Sequence, residues 1–156
     1  MATLATFDPK DLEAKVKAMY SKVAEDPHGE FHFEMGRAMA ERLGYAPGDL
    51  DRIPAEAIKS FAGVGYYFDL ADLKEGEKVV DLGSGSGMDT FVAALKVGPQ
   101  GLVIGIDMTD AQLDKAERLR AAIPSPRSYP QPRSHVARRR LNASNGRVCV
   151  RSHDPL

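Results

Sequence analysis

Apolar residues recur at helical spacing near the start of the chain: Leu12, Val16, Met19, Tyr20 and Val23 share one face. Asp8-Pro9 ahead of them reads as a helix start, with Asp as N-cap, Pro in the first turn, and Asp11 and Glu13 near the positive end of the dipole. A second amphipathic helix is predicted from about Glu30 to Leu43, with Phe31, Met35, Met39 and Leu43 on one face and Gly44 ending it. Met19, Met35 and Met39 read as core. A short helix around Pro54 to Phe61 follows, and Gly63-Val64-Gly65 breaks the pattern.

The period changes after Leu73-Lys74-Glu75-Gly76. Lys78-Val79-Val80-Asp81-Leu82 reads as a short buried strand, and a glycine cluster turns it into a helix from about Met88 to Lys96. Gly98-Pro99-Gln100-Gly101 is a turn. Leu102-Val103-Ile104-Gly105-Ile106 is a second buried strand ending at Asp107, and Thr109-Asp110-Ala111-Gln112 fits a capping box for a helix running to about Ala122. The expected unit is strand–helix–strand–helix, its strands parallel with a right-handed crossover. The fold class is therefore α/β: the N-terminal half of a Rossmann-like fold (βαβα), preceded by helices. Residues 1–70 are the expected helical cap segment, 71–122 the binding unit and 123–156 a tail.

That tail alters the picture. Pro124, Pro126, Pro130 and Pro132 crowd together, Arg138-Arg139-Arg140 follows, and only the short Val148-Cys149-Val150 run is apolar. No helical or strand period emerges, so the segment is expected to be irregular. The net charge of −1 conceals a split: up to Ala122 there are 14 Lys+Arg against 21 Asp+Glu, and from Ile123 onward 7 Arg, no Lys and one acid, Asp154. An Arg-, Pro- and Ser-rich, Lys-free segment starting abruptly inside a helix is what truncation or a reading-frame shift in GC-rich DNA would leave. The lone Cys149 excludes an internal disulfide or a cysteine metal site. No apolar run approaches the roughly 20 residues of a membrane-spanning helix, and the N-terminus lacks secretory features. The expected setting is the cytoplasm, without membrane partners.

The chemistry concentrates at Asp81-Leu82-Gly83-Ser84-Gly85-Ser86-Gly87. Glycine lets the backbone turn sharply and lets a nucleotide-like ligand lie close against it. Asp107, 24 residues after Gly83, ends the second strand, where a carboxylate can accept hydrogen bonds from ribose hydroxyls. Two details favour S-adenosylmethionine (SAM) over a dinucleotide. Met88 stands where the dinucleotide fingerprint wants its third glycine. Asp81, two residues before Gly83, would repel a pyrophosphate but suits the positive end of SAM, directly or through water; the bland alternative is that Asp81 only caps the loop.

From about Val16 to Arg120 the chain resembles SAM-dependent methyltransferases of the arsenite-methyltransferase and ubiquinone/menaquinone-biosynthesis type. Ala71 to Gly87, and Gly105-Ile106-Asp107-Met108-Thr109-Asp110-Ala111-Gln112-Leu113, carry the likeness. The resemblance implies a doubly wound sheet with SAM over the carboxyl ends of its first strands. Gly83, Ser84 and Gly85 would contact the methionine part, with Asp81 and Gly87 in the same loop; Asp107 would hold the ribose and Met108 would pack on the adenine. Arsenite methyltransferases carry a Gly-Cys-Gly whose thiolate binds arsenic; here the matching position is Val64. A soft As(III) centre needs thiolates, so the expected acceptor is another, undefined small molecule. No general base is identified.

Other readings stay open. His28 and His32, with Glu30 and Glu34 nearby, lack a third metal ligand and fit a solvated or cofactor-covering helix end. Tyr20, Tyr66 and Tyr67 either line a pocket or pack the N-terminal helices on the sheet. Arg138-Arg139-Arg140 offers phosphate contacts to nucleic acid, but no aromatic interleaving or folded motif accompanies it, which favours a plain basic tail. A fragment that at most binds SAM without catalysis is the competing functional reading.

Overall fold

The structure, a computed structural model, describes residues 8–27, 29, 31–123, 133–138 and 149–152, the last two segments as backbone. Helix α1 (Pro9–Glu25) starts as its sequence dictates: the Asp8 carboxylate accepts from the Lys10 N–H at 2.9 Å and Pro9 opens the first turn. Lys15–Asp11 and Lys17–Glu13 pair along its exposed face at 2.7 and 2.6 Å. Only Val23 and Ala24 of this helix are fully buried. Its hold on the molecule therefore rests largely on polar side chains of a later helix.

The second helix is shorter than its apolar pattern predicts. Helix α2 spans Arg37–Leu43, not Glu30–Leu43. Gly36 is the reason: at φ 83° and ψ −159° it occupies a region open essentially to glycine alone, and its N–H donates to the Phe61 carbonyl at 2.9 Å. The chain turns there instead of continuing, and Phe31 and Phe33 pack on each other with ring centroids 5.6 Å apart. Gly44 ends α2 as expected, left-handed at φ 109°. Three short helices follow: α3 (Pro47–Leu50), α4 (Ala55–Lys59) and α5 (Phe68–Ala71). Of these, the periodicity picks out only α4.

Strand β1 (Lys78–Leu82), helix α6 (Met88–Val97), strand β2 (Leu102–Asp107) and helix α7 (Asp110–Ala122) form the expected unit, with β1 and β2 parallel and Asp81 in register with Gly105. Val79 and Val103 pack under Ala93, Ala94 and Val97 of α6. Burial alternates along both strands: Val80, Leu82, Ile104 and Ile106, on the opposite face, are half-buried, short of the full burial their unbroken apolar runs suggested. A second apolar cluster joins Met88, Phe91 and Val92 of α6 to Ala40, Tyr45, Leu50, Ala57, Ile58 and Phe61.

The sheet has two further strands, where the tail shows no strand period. Strand β3 (Arg133–Arg138) pairs parallel with β2, and β4 (Cys149–Ser152) antiparallel with β1, giving the order β3-β2-β1-β4. The edges of β1 and β2 are thus paired rather than open. Such pairing is made by backbone groups and asks little of side-chain alternation. The order matches the first strands of a Rossmann sheet, but β4 runs the opposite way. The interval from Arg138 to Cys149 is shorter than the dozen or more residues a parallel crossover takes. Among the described residues no helix is long and apolar enough to cross a membrane.

Candidate functional site

The loop between β1 and α6 is shaped by three left-handed glycines: Gly83 at φ 76°, Gly85 at φ 54° and Gly87 at φ 96°. A side chain at any of them would strain the backbone. The N–H groups of Gly83 and Ser84 both donate to the Ile106 carbonyl, at 2.7 and 3.1 Å, tying the loop to the end of β2. Asp107 completes the clasp. One carboxylate oxygen accepts from the Gly85 N–H at 2.9 Å and the other from the Thr109 N–H at 2.8 Å. The two features singled out in the sequence, 22 residues apart at this contact, are one structure.

This loop floors a cavity of about 660 Å³, within the size range of small-molecule and cofactor sites. Gly83, Ser84, Gly85 and Ser86 form one side, and Ile106 to Thr109 the wall. Val16, Met19 and Tyr20 of α1 and buried Phe61 add to the lining, with the exposed Val64 and Tyr67 on the rim. Met19 therefore lines the cavity rather than the core. Tyr20 and Tyr67 line it too, whereas Tyr66 packs edge-on against Tyr45, centroids 4.9 Å apart. Val64 and Met108 present exposed apolar surface, Val64 at 82%.

Asp81 and Gly87 are placed differently from the other singled-out residues. Asp81 is buried behind the loop, accepting from the Thr90 hydroxyl at 2.7 Å, and lies outside the cavity lining. Gly87 caps α6, where an added Cβ would meet the Phe91 ring at 3.0 Å. The cavity carboxylate that the sequence reading missed is Asp89, in the first turn of α6. Its carboxylate accepts from the buried Tyr45 hydroxyl at 2.5 Å. The only signal for it in the sequence was a second acid immediately beyond the glycine loop.

The capping box is not made. Thr109 is the N-cap of α7 without a side-chain cap bond, and the Gln112 amide instead donates to the Tyr20 carbonyl at 3.0 Å, pinning α1 over the cavity. Thr109 Oγ1 and Gln112 Oε1 are buried on the cavity wall with no hydrogen-bond partner among the described residues. Two orphaned polar oxygens in one wall, a hydroxyl and an amide carbonyl, are costly unless a ligand engages them. One turn further, the Lys115 ammonium donates to the Ala24 carbonyl at 3.2 Å and to Ser60 Oγ at 2.6 Å. Burial holds the Lys115 pKa below its ordinary value.

Among the described residues no three His, Cys, Asp or Glu side chains gather as a metal site. His32 is exposed, and His28 and Glu30 lie outside the described residues. Arg138 ends β3; Arg139 and Arg140 also lie outside them.

Residues 73–123 match a family described as a methyltransferase domain. The chain is 34% identical over 127 residues to an arsenite methyltransferase of Halobacterium salinarum, covering 72% of this chain and 32% of that protein. It is 42% identical over 50 residues to an aklanonic acid methyltransferase of a Streptomyces species, covering 32% of this chain and 23% of that one. A solved arsenic(III) S-adenosylmethionine methyltransferase from Chlamydomonas reinhardtii is similar at 34% identity and a TM-score of 0.49, over 60% of this chain and 31% of that chain. The chain spans about a third of the length of the Halobacterium relative and less of the others named from sequence.

Proposed function

We propose that this chain, which carries methyltransferase-domain sequence and resembles arsenite methyltransferases, is the cofactor-binding part of an enzyme that methylates a small molecule. S-adenosylmethionine is the cofactor, and it supplies an activated methyl group on a sulfonium centre. The observation that carries the reading is the clasp of Asp107 on Gly85 at the floor of a cavity with two orphaned polar atoms.

The residues present fit the group. Gly83, Ser84 and Gly85 offer a close backbone surface for the methionine part, and Met108 an exposed apolar face for the adenine. Each Asp107 oxygen accepts one backbone N–H. A carboxylate has about four acceptor sites, so capacity remains for the ribose hydroxyls. Asp81 and Gly87 act from behind, holding the loop through Thr90 and the start of α6. Residues 1–70 serve as the cap over the 71–122 binding unit, and 123–156 as the tail beyond it. Positioning the donor against an acceptor supplies most of the rate enhancement such a transfer needs.

The acceptor differs from arsenite in this reading. Val64, on the cavity rim, stands where the arsenic-binding thiolate is expected and gives a soft As(III) centre no sulfur ligand. A reducing cytoplasm suits the single thiol, Cys149. A second reading is a chain that binds SAM without transferring its methyl group.

Calorimetric titration with SAM and with its demethylated product, S-adenosylhomocysteine, tests the binding step. We expect saturable binding that Gly85→Val weakens at least tenfold, because the added side chain is strained at φ 54°. No heat from folded wild-type protein would overturn the reading. Binding without methyl transfer to any small-molecule acceptor would select the second one.

A further inference from the structure

We infer that Asp89, held by Tyr45, is the carboxylate that faces the sulfonium of the cofactor and so makes this site prefer SAM to its demethylated product. The inference rests on the cofactor reading above and assigns a role within it.

Three acidic side chains surround the glycine loop, and their positions separate their roles. Asp81 is buried behind the loop against Thr90 and does not line the cavity. Asp107 lines it at the end of β2, where both oxygens are engaged by backbone N–H groups. Asp89 lines it from the first turn of α6. Its charge is favoured twice: by the positive end of α6, and by the Tyr45 hydroxyl donating at 2.5 Å.

The aim of Asp89 is fixed by its partner. Tyr45 is 2% exposed and wedged edge-on between Phe61, Tyr66 and Phe68. The Gly65 carbonyl lies 3.4 Å from the same hydroxyl, which places the Tyr45–Asp89 pair beside the Gly63–Gly65 segment and its exposed Val64. With Asp107 at the nucleoside side, Asp89 is the remaining carboxylate of the cavity lining, and it faces the sulfonium. Tyr67 on the cavity rim adds an aromatic face that also attracts a cation.

The two ligands share their nucleoside, ammonium and carboxylate, and differ at sulfur by one methyl group and one positive charge. Opposite charges held close in a partly solvated site attract strongly enough for a measurable preference. Asp89→Asn keeps an oxygen to accept from Tyr45 and removes the charge. Calorimetry on the full chain should show SAM affinity falling about tenfold and S-adenosylhomocysteine affinity changing less than about twofold. Raising the salt concentration should weaken the wild-type preference and leave the variant's ratio flat. Tyr45→Phe, which removes the Tyr45 hydrogen bond to Asp89, should lower the SAM preference by a smaller factor. Equal losses for both ligands, or no change, would overturn the assignment while leaving cofactor binding intact. A folded wild-type chain that binds neither ligand would remove the cofactor reading and this one with it.

Discussion

A glycine inside a strand marks a place where something else comes close, and Gly105 is that position here. A Cβ on it would sit 2.9 Å from both Ser84 Oγ and Thr90 Oγ1. Thr90 is the residue that holds Asp81, so one added methyl would press on the loop and its rear support together. Gly105→Ala is expected to cost about 1–3 kcal/mol of stability, the usual range for overpacking, and to weaken SAM binding in the same variant. Chemical denaturation and titration measure the two effects, and an unchanged affinity would separate the strand from the loop. Side-chain identity made Gly83, Gly85 and Asp107 legible in the sequence, because spacing and strand ends are local properties. Gly105 was read as part of an apolar run and of the family-like stretch, with no role of its own. The atoms it must clear belong to residues on other elements, and no local pattern encodes that clearance.

At the scale of elements, α1 is held by other helices' polar side chains more than by its own apolar face. Gln112 takes the Tyr20 carbonyl, and Lys115 takes the Ala24 carbonyl and Ser60 Oγ. Gln112→Leu removes one such bond, worth about 1 kcal/mol, and should speed amide exchange in α1 about fivefold with little effect on β1 and β2. Hydrogen exchange resolved by segment checks this. Lys115 adds a pH dependence. Burial lowers its pKa in the folded chain, so the unfolded chain binds that proton more tightly. Its contribution to stability therefore grows as pH rises from the lowered folded value to the ordinary lysine value, and shrinks as pH falls through the same interval. Lys115→Met should flatten that slope, read as the difference between wild-type and variant unfolding midpoints across the alkaline range. The sequence showed α1 itself clearly, since its cap and apolar spacing are local. It misread Gln112 as a capping partner, because a Gln three residues after Thr looks the same whether its amide turns back to the cap or outward to another helix. It overran α2 for a related reason: apolar spacing continued through Gly36, while the backbone was committed to Phe61.

For the whole molecule, the decisive question is what protects a two-stranded parallel core. Parallel strands are normally covered on both faces and flanked on both edges. Here β3 and β4 pair with the two edges, while Val80, Leu82, Ile104 and Ile106 remain half-buried on one face. The central strands were legible because continuous apolar runs are a property of buried strands. The flanking ones were not, because backbone pairing leaves little trace in a segment rich in Arg, Pro and Ser. The match to methyltransferase-domain sequence stops at residue 123, next to the place where the charge balance reverses. Family likeness thus covers the central strands, and the chain's own tail supplies their neighbours. A chain ending at Ala122 would present both edges of β1–β2 beside the half-buried face. It should self-associate with rising concentration, shifting sedimentation-velocity profiles toward larger species relative to the full chain. Added SAM should not reverse the shift, since the cavity lies at the carboxyl ends of the strands and covers neither edge. A truncated chain that sediments as the full one does would mean that β3 and β4 are dispensable to the sheet. The protection would then have to come from the helices packed on its other face.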